Sequence, residues 1–256
     1  MRRIKTAVIL AAGIGSRLYD VTDDTIPKGF LVVNGKSLIE RSIEKLRSIG
    51  IEKVYIVTGC LNEYYDKLAE KYNFIETKRN RRYRTTGSMT SLSILENELK
   101  DDFLLLESDL IYEVYGLIKT ATFNGDDCVL LSGKTNSGDE CYVEVRNNNL
   151  YKISKDINEI NEVYGELVGI SKISIDLYKD MIKEYKNFME NLKYGEEESK
   201  SINNKYDYEN AIFDAAKNRK IGYLKIDNLI WGEIDDKNQL ERVENIILPR
   251  LEKINM

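Results

Sequence analysis

Hydrophobic and polar positions alternate along the first half of the chain with two different periods. Short apolar runs of strand length, such as Thr6–Leu10 and Phe103–Leu106, are separated by segments like Ser37–Ser48, where apolar residues recur every three or four positions. Alternating strands and helices favour a parallel sheet covered by helices on both faces. The other elements predicted here are strands Val54–Val57 and Asn73–Glu76 and helices Glu63–Lys71 and Met89–Glu98.

From about residue 126 the pattern changes to short strands joined by polar turns. The predicted elements are strands Cys128–Ser132, Glu140–Val145, Leu150–Ser154 and Val163–Ile170, helix Ile175–Leu192, a polar loop Lys193–Asn204, helix Asp207–Ala216, strand Gly222–Ile226 and helix Gln239–Lys253. No repeat or linker separates the halves. We therefore predict one α/β domain over residues 1–256, in which the second half completes the sheet.

Composition excludes several classes of protein. Histidine is absent, which removes histidine triads, histidine general bases and most zinc sites. The net charge of −5, with basic residues spread along the chain, argues against nucleic-acid binding. Cys60, Cys128 and Cys141 form no CxxC pair and indicate reduced thiols of a cytoplasmic protein. No apolar run is long enough for a signal peptide or a membrane span. Any chemistry must use carboxylates, lysine, arginine, backbone amides and a hard metal ion.

The most informative segment is a glycine-rich loop after the first predicted strand, Leu10-Ala11-Ala12-Gly13-Ile14-Gly15-Ser16-Arg17-Leu18. Such a turn lets backbone N–H groups approach phosphate oxygens, although Gly-x-Gly alone is more typical of a plain tight turn. Arg17 adds a forked donor and Lys28 a point charge. Leucine at position 18 excludes the dinucleotide fingerprint, and the Gly-Lys-Ser/Thr of a P-loop is absent.

This loop, with Pro27-Lys28 and the segment Val33-Asn34-Gly35-Lys36-Ser37-Leu38-Ile39-Glu40, resembles the nucleotidyltransferase family that activates sugar 1-phosphates and phosphocholine. Within it, the arrangement is similar to cytidylyltransferases acting on phosphocholine or 2-aminoethylphosphonate. The resemblance implies a Rossmann-like three-layer fold with a mostly parallel central sheet, a nucleotide-binding half (1–125) and an acceptor-binding half (126–256). It also implies that Arg17 holds the triphosphate and that Lys28 approaches the reacting phosphoryl group.

The resemblance assigns the loop around Thr86-Gly87-Ser88 to recognition of the pyrimidine base through hydroxyl and backbone groups. Ser88 is equally well placed to be a helix N-cap. The residues expected to bind the nucleotide are Leu10, Ala11, Ala12, Gly13, Gly15, Ser16, Arg17, Thr86, Gly87, Ser88, Glu107 and Asp109.

A metal site is implied at the end of a buried strand. Asp109 follows the strand Phe103–Leu106, where open α/β sheets place their sites. The resemblance pairs Asp109 with Asp235, and two carboxylates suit Mg²⁺. Glu233 and Asp236 are alternative ligands, and Asp235 or Asp236 is also a good N-cap for the last helix.

The acceptor site is the least constrained by the sequence. The resemblance aligns Lys155 with a lysine that binds the acceptor phosphate and Glu166 with an acidic substrate contact, although Lys155 reads equally as a surface residue. The full set expected to bind the acceptor is Lys28, Lys155, Glu166, Asp207, Tyr208, Glu209 and Trp231. Carboxylates mixed with tyrosines around Asp207, itself a good N-cap, favour a primary amine over a quaternary one.

These features predict a Mg²⁺-dependent enzyme that transfers CMP from CTP to 2-aminoethylphosphonate and releases pyrophosphate. The first alternative acceptor is phosphocholine and the second is a sugar 1-phosphate. A catalytically silent nucleotide-binding domain is disfavoured because Arg17, Lys28, Asp109 and Asp235 are all present. The predicted partners are CTP and a small amine-bearing phosphonate or phosphate, without nucleic acid or membrane, and a homodimer is compatible with the sequence.

Overall fold

A large sheet forms the centre of the protein in the computed structural model, which describes residues 3–22, 25–195 and 205–254. The strands are β1 (Thr6–Ala11), β2 (Val32–Val33), β3 (Lys36–Ser37), β4 (Lys53–Thr58), β5 (Ile75–Arg79), β6 (Phe103–Glu107), β7 (Leu110–Tyr112), β8 (Cys128–Ser132), β9 (Tyr142–Arg146), β10 (Asn149–Ser154), β11 (Gly165–Ile173), β12 (Tyr223–Ile226) and β13 (Trp231–Glu233). Their order in the large sheet is β10-β9-β11-β6-β1-β4-β5, with β8 beside β11 and β12 beside β8.

The centre of this sheet is parallel. Strand β1 pairs in parallel with β4 and β6, and β4 pairs in parallel with β5. Strand β11 joins antiparallel to β6, and it also pairs with β8 and β9. The second half of the chain therefore extends the sheet of the first half, as the sequence predicts.

Helices cover both faces of the sheet. They are α1 (Tyr19–Thr22), α2 (Leu38–Ser48), α3 (Asn62–Lys71), α4 (Ser88–Ser93), α5 (Val114–Ala121), α6 (Ile175–Gly195), α7 (Tyr208–Ala216), α8 (Lys237–Arg242) and α9 (Leu248–Ile254). Because side chains alternate along a strand, Val8 and Leu10 pack with α4, α6 and α7, whereas Ile9 and Ala11 pack with α2, α3 and α5. The result is the predicted three-layer arrangement.

A third apolar cluster joins the two ends of the chain. Leu18 and Val33 from the N-terminal region pack with Ile234, Val243 and Leu251 from the C-terminal region. Strand β13 pairs antiparallel with β7, and the Ile234 N–H donates to the carbonyl of Asp109 at 3.1 Å. This packing brings residues near position 235 to the end of β6.

Three helix boundaries differ from the prediction by more than one residue. Helix α4 ends at Ser93 rather than Glu98, and the Ser93 hydroxyl bonds back to the Thr90 carbonyl, which competes with helix continuation. The helix predicted over Gln239–Lys253 starts earlier, at Lys237, and consists of α8 and α9 joined by a π-helical turn, Val243–Ile247. This turn lies just before Pro249, which cannot donate a backbone hydrogen bond. The prediction of a loop over Lys193–Asn204 is wrong at its start, because α6 continues past Leu192 to Gly195. Its remainder lies outside the described residues.

Composition predicted reduced cysteines and no membrane span. Cys60, Cys128 and Cys141 are all free thiols. Within the described ranges, every helix is too short or too polar to cross a bilayer.

Candidate active site

The glycine-rich loop leaves the central strand β1 and packs directly on Lys28. Gly15 has a left-handed backbone with a φ of +73°, which favours glycine. A Cβ atom at Gly15 would lie 3.0 Å from Cγ of Lys28. A Cβ atom at Gly13 would instead meet open space. The loop therefore fixes the stem of Lys28 while leaving the backbone near Gly13 accessible.

Ion pairs connect the predicted catalytic and metal-binding side chains. The Lys28 ammonium lies 3.2 Å from Oδ2 of Asp109 and also contacts Oδ1 of Asp235. Oδ2 of Asp235 lies 2.9 Å from a guanidinium nitrogen of Arg17. The structure thus brings Arg17, Lys28, Asp109 and Asp235 together at the carboxyl ends of β1 and β6.

The donor set at this point suits a hard divalent cation. Oδ1 of Asp109 is buried and has no hydrogen-bond partner among the described residues. Carboxylate oxygens of Asp139, Glu233 and Asp235 lie within 4.8 Å of one another. Asp236 caps α8 by accepting the Gln239 N–H at 2.9 Å, which answers the question of which aspartate is the N-cap. The Asp235 carboxylate is therefore left for the site.

A wide cleft with a volume of about 480 Å³ opens above the glycine loop. Every residue predicted to bind the nucleotide lines it, from Leu10 to Arg17 on one wall and Thr86, Gly87 and Ser88 on another. Tyr83, Arg84 and Lys205 also line this cleft but were not predicted. They lie in polar segments without a periodic pattern, so the sequence held no signal for them.

The loop expected to read the base is fastened to the start of α7. Ser88 is the first residue of α4 and Gly87 is its N-cap, so the alternative that Ser88 caps this helix is wrong. The Ser88 N–H and hydroxyl donate to Oδ1 of Asp207 at 2.8 and 3.0 Å, and its hydroxyl accepts the Tyr208 N–H at 2.9 Å. A Cβ atom on Gly87 would lie 2.7 Å from the backbone nitrogen of Tyr206.

These two glycines allow a paired test. Gly87→Ala should destabilise the protein by roughly 1–3 kcal/mol, since the methyl group overlaps backbone atoms that cannot move away easily. Gly13→Ala should leave the melting temperature unchanged but raise the KM of the nucleotide roughly tenfold, about 1.4 kcal/mol, because its methyl group would stand in the cleft. Thermal unfolding and initial rates measure the two effects. Equal melting temperatures for both variants would contradict the packing of Gly87 against Tyr206.

A smaller cavity adjoins the cleft and shares Glu107, Lys155 and Glu209 with it. Of the residues predicted to bind the acceptor, those lining this cavity are Lys155, Glu166, Glu209 and Trp231. The structure places Lys28, Asp207 and Tyr208 on the wall of the larger cleft instead. Asp139, Glu140 and Glu233 also line the smaller cavity without having been predicted as acceptor contacts.

Several of these side chains are already engaged within the protein. Oε2 of Glu166 accepts the N–H and the hydroxyl of Thr135 at 2.9 and 2.6 Å. The Tyr208 hydroxyl donates to Oε1 of Glu107 at 2.6 Å. Oε2 of Glu209 and the indole N–H of Trp231 are buried, and neither has a hydrogen-bond partner in the part of the chain that the structure describes. Glu209 and Trp231 therefore have unused hydrogen-bonding capacity next to the cavity.

Burial and repulsion between neighbouring carboxylates raise the pKa values of three glutamates in this cavity, Glu107, Glu209 and Glu233. Burial, with added repulsion from Glu107 and Asp109, raises the pKa of Glu233 to about 8. The pKa values of Glu107 and Glu209 also lie above their ordinary range, first because of burial and then because of neighbouring carboxylates. A cationic group in the cavity would relieve this repulsion.

The sequence matches the family model of the MobA-like NTP transferase domain over residues 7–142. This range is more than half of the chain and includes the glycine loop, Lys28 and Asp109. The chain belongs to this family. Its place among the nucleotidyltransferases, predicted from the glycine loop and Pro27-Lys28, is thereby confirmed, and so is its classification as an enzyme.

Two curated relatives differ in how much of the chain they cover. A choline-phosphate cytidylyltransferase of Streptococcus pneumoniae is 36% identical over 107 residues, 42% of this chain and 46% of the relative. The matched part is thus less than half of that protein's length. A CTP:phosphoglutamine cytidylyltransferase of Campylobacter jejuni is 26% identical over 253 residues, 92% of this chain and 97% of the relative.

A solved structure supports the fold along the whole chain. The inositol-1-phosphate CTP transferase of T. maritima superposes with a TM-score of 0.74, covering 96% of this chain and 98% of that one at 19% identity. At this identity the likeness concerns the fold. It confirms the predicted three-layer nucleotidyltransferase architecture.

Proposed function

We propose that this nucleotidyltransferase transfers CMP from CTP to a small acceptor that carries a phosphonate or phosphate at one end and a primary amine at the other. The first candidate is 2-aminoethylphosphonate. The choice of CTP is supported by the names of the relatives, both cytidylyltransferases. The choice of acceptor depends on the charges of the smaller cavity.

The smaller cavity has an excess of carboxylates, and this excess supports the choice of an amine-bearing acceptor. Among the described residues that line it, the acidic ones are Glu107, Asp139, Glu140, Glu166, Glu209, Glu233 and Asp235, and Lys155 is the one lysine. An acceptor that was anionic throughout would be repelled by such a wall. An acceptor with an ammonium group for the carboxylates and a phosphonate or phosphate for Lys155 matches both charges.

The distribution of aromatic rings favours a primary amine. Quaternary ammonium groups prefer a cage of aromatic rings, whereas a primary ammonium donates hydrogen bonds to carboxylates. Of the described residues that line the smaller cavity, Trp231 is the one with an aromatic ring. Tyr206 is buried and stacks on Phe188 with ring centroids 4.6 Å apart. The described residues therefore supply carboxylates but no cage.

The proposed reaction is an in-line attack of the acceptor oxygen on the α-phosphorus of CTP. The new P–O bond forms as the bond to pyrophosphate breaks. The acceptor oxygen is already anionic, so a general base is not required, which agrees with a chain that has no histidine. Lys28 and Arg17 would stabilise the negative charge on the phosphoryl groups. The adjoining cavities would hold the two reactants next to each other.

Asp109 and Asp235 are proposed to hold Mg²⁺, since their oxygens are hard donors and one buried oxygen of Asp109 has no partner within residues 3–22, 25–195 and 205–254. Bound Mg²⁺ would neutralise charge on the triphosphate and its departing pyrophosphate. Lys28 contacts both carboxylates in the protein alone and would then be available to the reacting phosphoryl group.

The acceptor assignment predicts a rank order of substrates. We expect 2-aminoethylphosphonate to have the highest kcat/KM, phosphoethanolamine an intermediate value and phosphocholine the lowest. Trimethylation removes N–H donors, each worth at least about tenfold in specificity when its partner is a buried carboxylate. Competition kinetics at saturating CTP measure this order. Glu209→Gln is the matched variant, since it keeps the shape but cannot ionise against a bound ammonium group, and it should reduce the preference for the amine.

The alternative acceptor is phosphocholine, which the name of the Streptococcus pneumoniae relative supports. A clear preference for phosphocholine would overturn the assignment to a primary amine and would make Trp231 the aromatic residue to test. Turnover of a sugar 1-phosphate in preference to all three amines would place the chain with the sugar nucleotidyltransferases instead.

A further inference from the structure

Asp139 lies between two cations that serve different substrates in the proposed function. Its Oδ2 lies 2.9 Å from a guanidinium nitrogen of Arg17, and its Oδ1 lies 2.9 Å from Nζ of Lys155. Arg17 lines the larger cleft, and Lys155 lines both cavities. A single carboxylate, in the loop between β8 and β9, therefore links the two proposed substrate sites.

The carboxylate of Asp139 is less exposed than either of its two partners. The side chain of Asp139 is 18% exposed, whereas those of Arg17 and Lys155 are 52% and 59% exposed. Burial alone would raise the pKa of Asp139, but hydrogen bonds from Lys155 and Arg17 outweigh it and keep the pKa below its ordinary value. Gly138, with a left-handed φ of +92°, provides the turn just before it. Asp139 is thus a partly buried anion that anchors two long, exposed side chains.

Both cations are needed where two anionic substrates meet, yet two neighbouring cations repel each other. A carboxylate between them offsets this repulsion and also selects one rotamer for each side chain. Side chains ordered before binding lose less conformational entropy when the substrates arrive. The three groups together therefore behave as a preorganised unit that spans both cavities.

We propose that Asp139 is a positioning residue for both substrates, holding Arg17 ready for the triphosphate and Lys155 ready for the phosphonate or phosphate of the acceptor. This inference rests on the proposed function. One substitution at Asp139 should raise the KM of CTP and the KM of the acceptor together. Arg17→Ala should act mainly on the KM of CTP and Lys155→Ala mainly on the KM of the acceptor.

Steady-state kinetics of pyrophosphate release with CTP and 2-aminoethylphosphonate test the proposal. Asp139→Ala should raise each KM by at least about tenfold, the effect of losing one charge-assisted contact, while kcat changes less. Asp139→Asn keeps the shape and still accepts hydrogen bonds, so its effect should be smaller. Glu159→Ala is the matched control, because Glu159 lies 3.7 Å from Lys152 in β10, the strand that ends just before Lys155, and lines neither cavity. It should leave both KM values unchanged.

A rise in one KM alone overturns the proposal, and so does a loss confined to kcat. Restoration of both KM values by excess Mg²⁺ would make Asp139 a metal ligand with Glu233 and Asp235, which also overturns it. If thermal unfolding shows that Asp139→Ala does not fold, Asp139→Asn gives the same comparison. A wild-type chain that releases no pyrophosphate refutes the proposed function and this inference with it. An active wild type with unchanged variants refutes the inference alone.

Discussion

Replacing Lys28 with alanine is expected to lower kcat by about 10²–10³-fold, the range seen when a single electrostatic stabiliser of a transition state is removed. Lys28 is the cation closest to both predicted metal ligands, and its stem is fixed by the close approach of Gly15. The Lys28 ammonium is therefore held at one position in the site, next to the carboxylates of Asp109 and Asp235. Single-turnover rates with saturating CTP and acceptor measure the effect without a contribution from product release.

Lys36→Ala is the control for the loss of a lysine. Lys36 forms an exposed ion pair with Glu44 at 2.7 Å and lies outside both cavities, so its removal should change neither kcat nor KM. Near-normal turnover of Lys28→Ala would remove Lys28 from the catalytic residues. A rise in KM at constant kcat would make it a residue that only binds substrate.

Asp235→Asn is expected to raise the Mg²⁺ concentration at half-maximal activity by at least about 10–100-fold. Losing an outer-sphere partner of a metal ligand already has an effect of this size, and a direct ligand should matter at least as much. An amide is a poorer ligand for a hard cation than a carboxylate. Mg²⁺ titrations of initial rates, with thermal unfolding to verify the fold, measure the change. Asp109→Asn should behave in the same way.

The neighbouring aspartate provides the control. Asp236 caps α8, and asparagine is an equally good N-cap, so Asp236→Asn should leave both stability and the Mg²⁺ requirement unchanged. If Asp235→Asn titrates like the wild type, the ligand lies elsewhere. Glu233→Gln and Asp139→Asn would be the next variants to titrate, because their oxygens lie within 4.8 Å of those of Asp235.

The glycine loop was predictable because its information is local. A buried strand, two glycines, Arg17 and Lys28 stand within about twenty residues of one another. The contacts of Gly15 with Lys28 show why this spacing is needed. The parallel sheet with helices on both faces likewise followed from short apolar runs alternating with amphipathic helices.

The meeting of Asp109 with Asp235 was predicted from resemblance alone, because no local pattern relates residues so far apart. In the structure it depends on the pairing of β13 with β7 and on the apolar cluster around Leu18 and Ile234. Asp139 had no signal at all, since it lies in a polar loop whose course is set by left-handed residues rather than by periodicity.

Pyrophosphate release, measured with 2-aminoethylphosphonate and each of CTP, UTP, ATP and GTP in the presence and absence of Mg²⁺, tests the proposed cytidylyltransferase activity. We expect release with CTP and Mg²⁺, at a kcat/KM at least about tenfold above that with UTP, since a site that hydrogen-bonds the exocyclic amine of cytosine rejects a base that lacks it. We expect no release when the acceptor is omitted. Equal or faster release with another nucleotide, or no release with CTP and any of the three amine acceptors, would contradict the proposed activity.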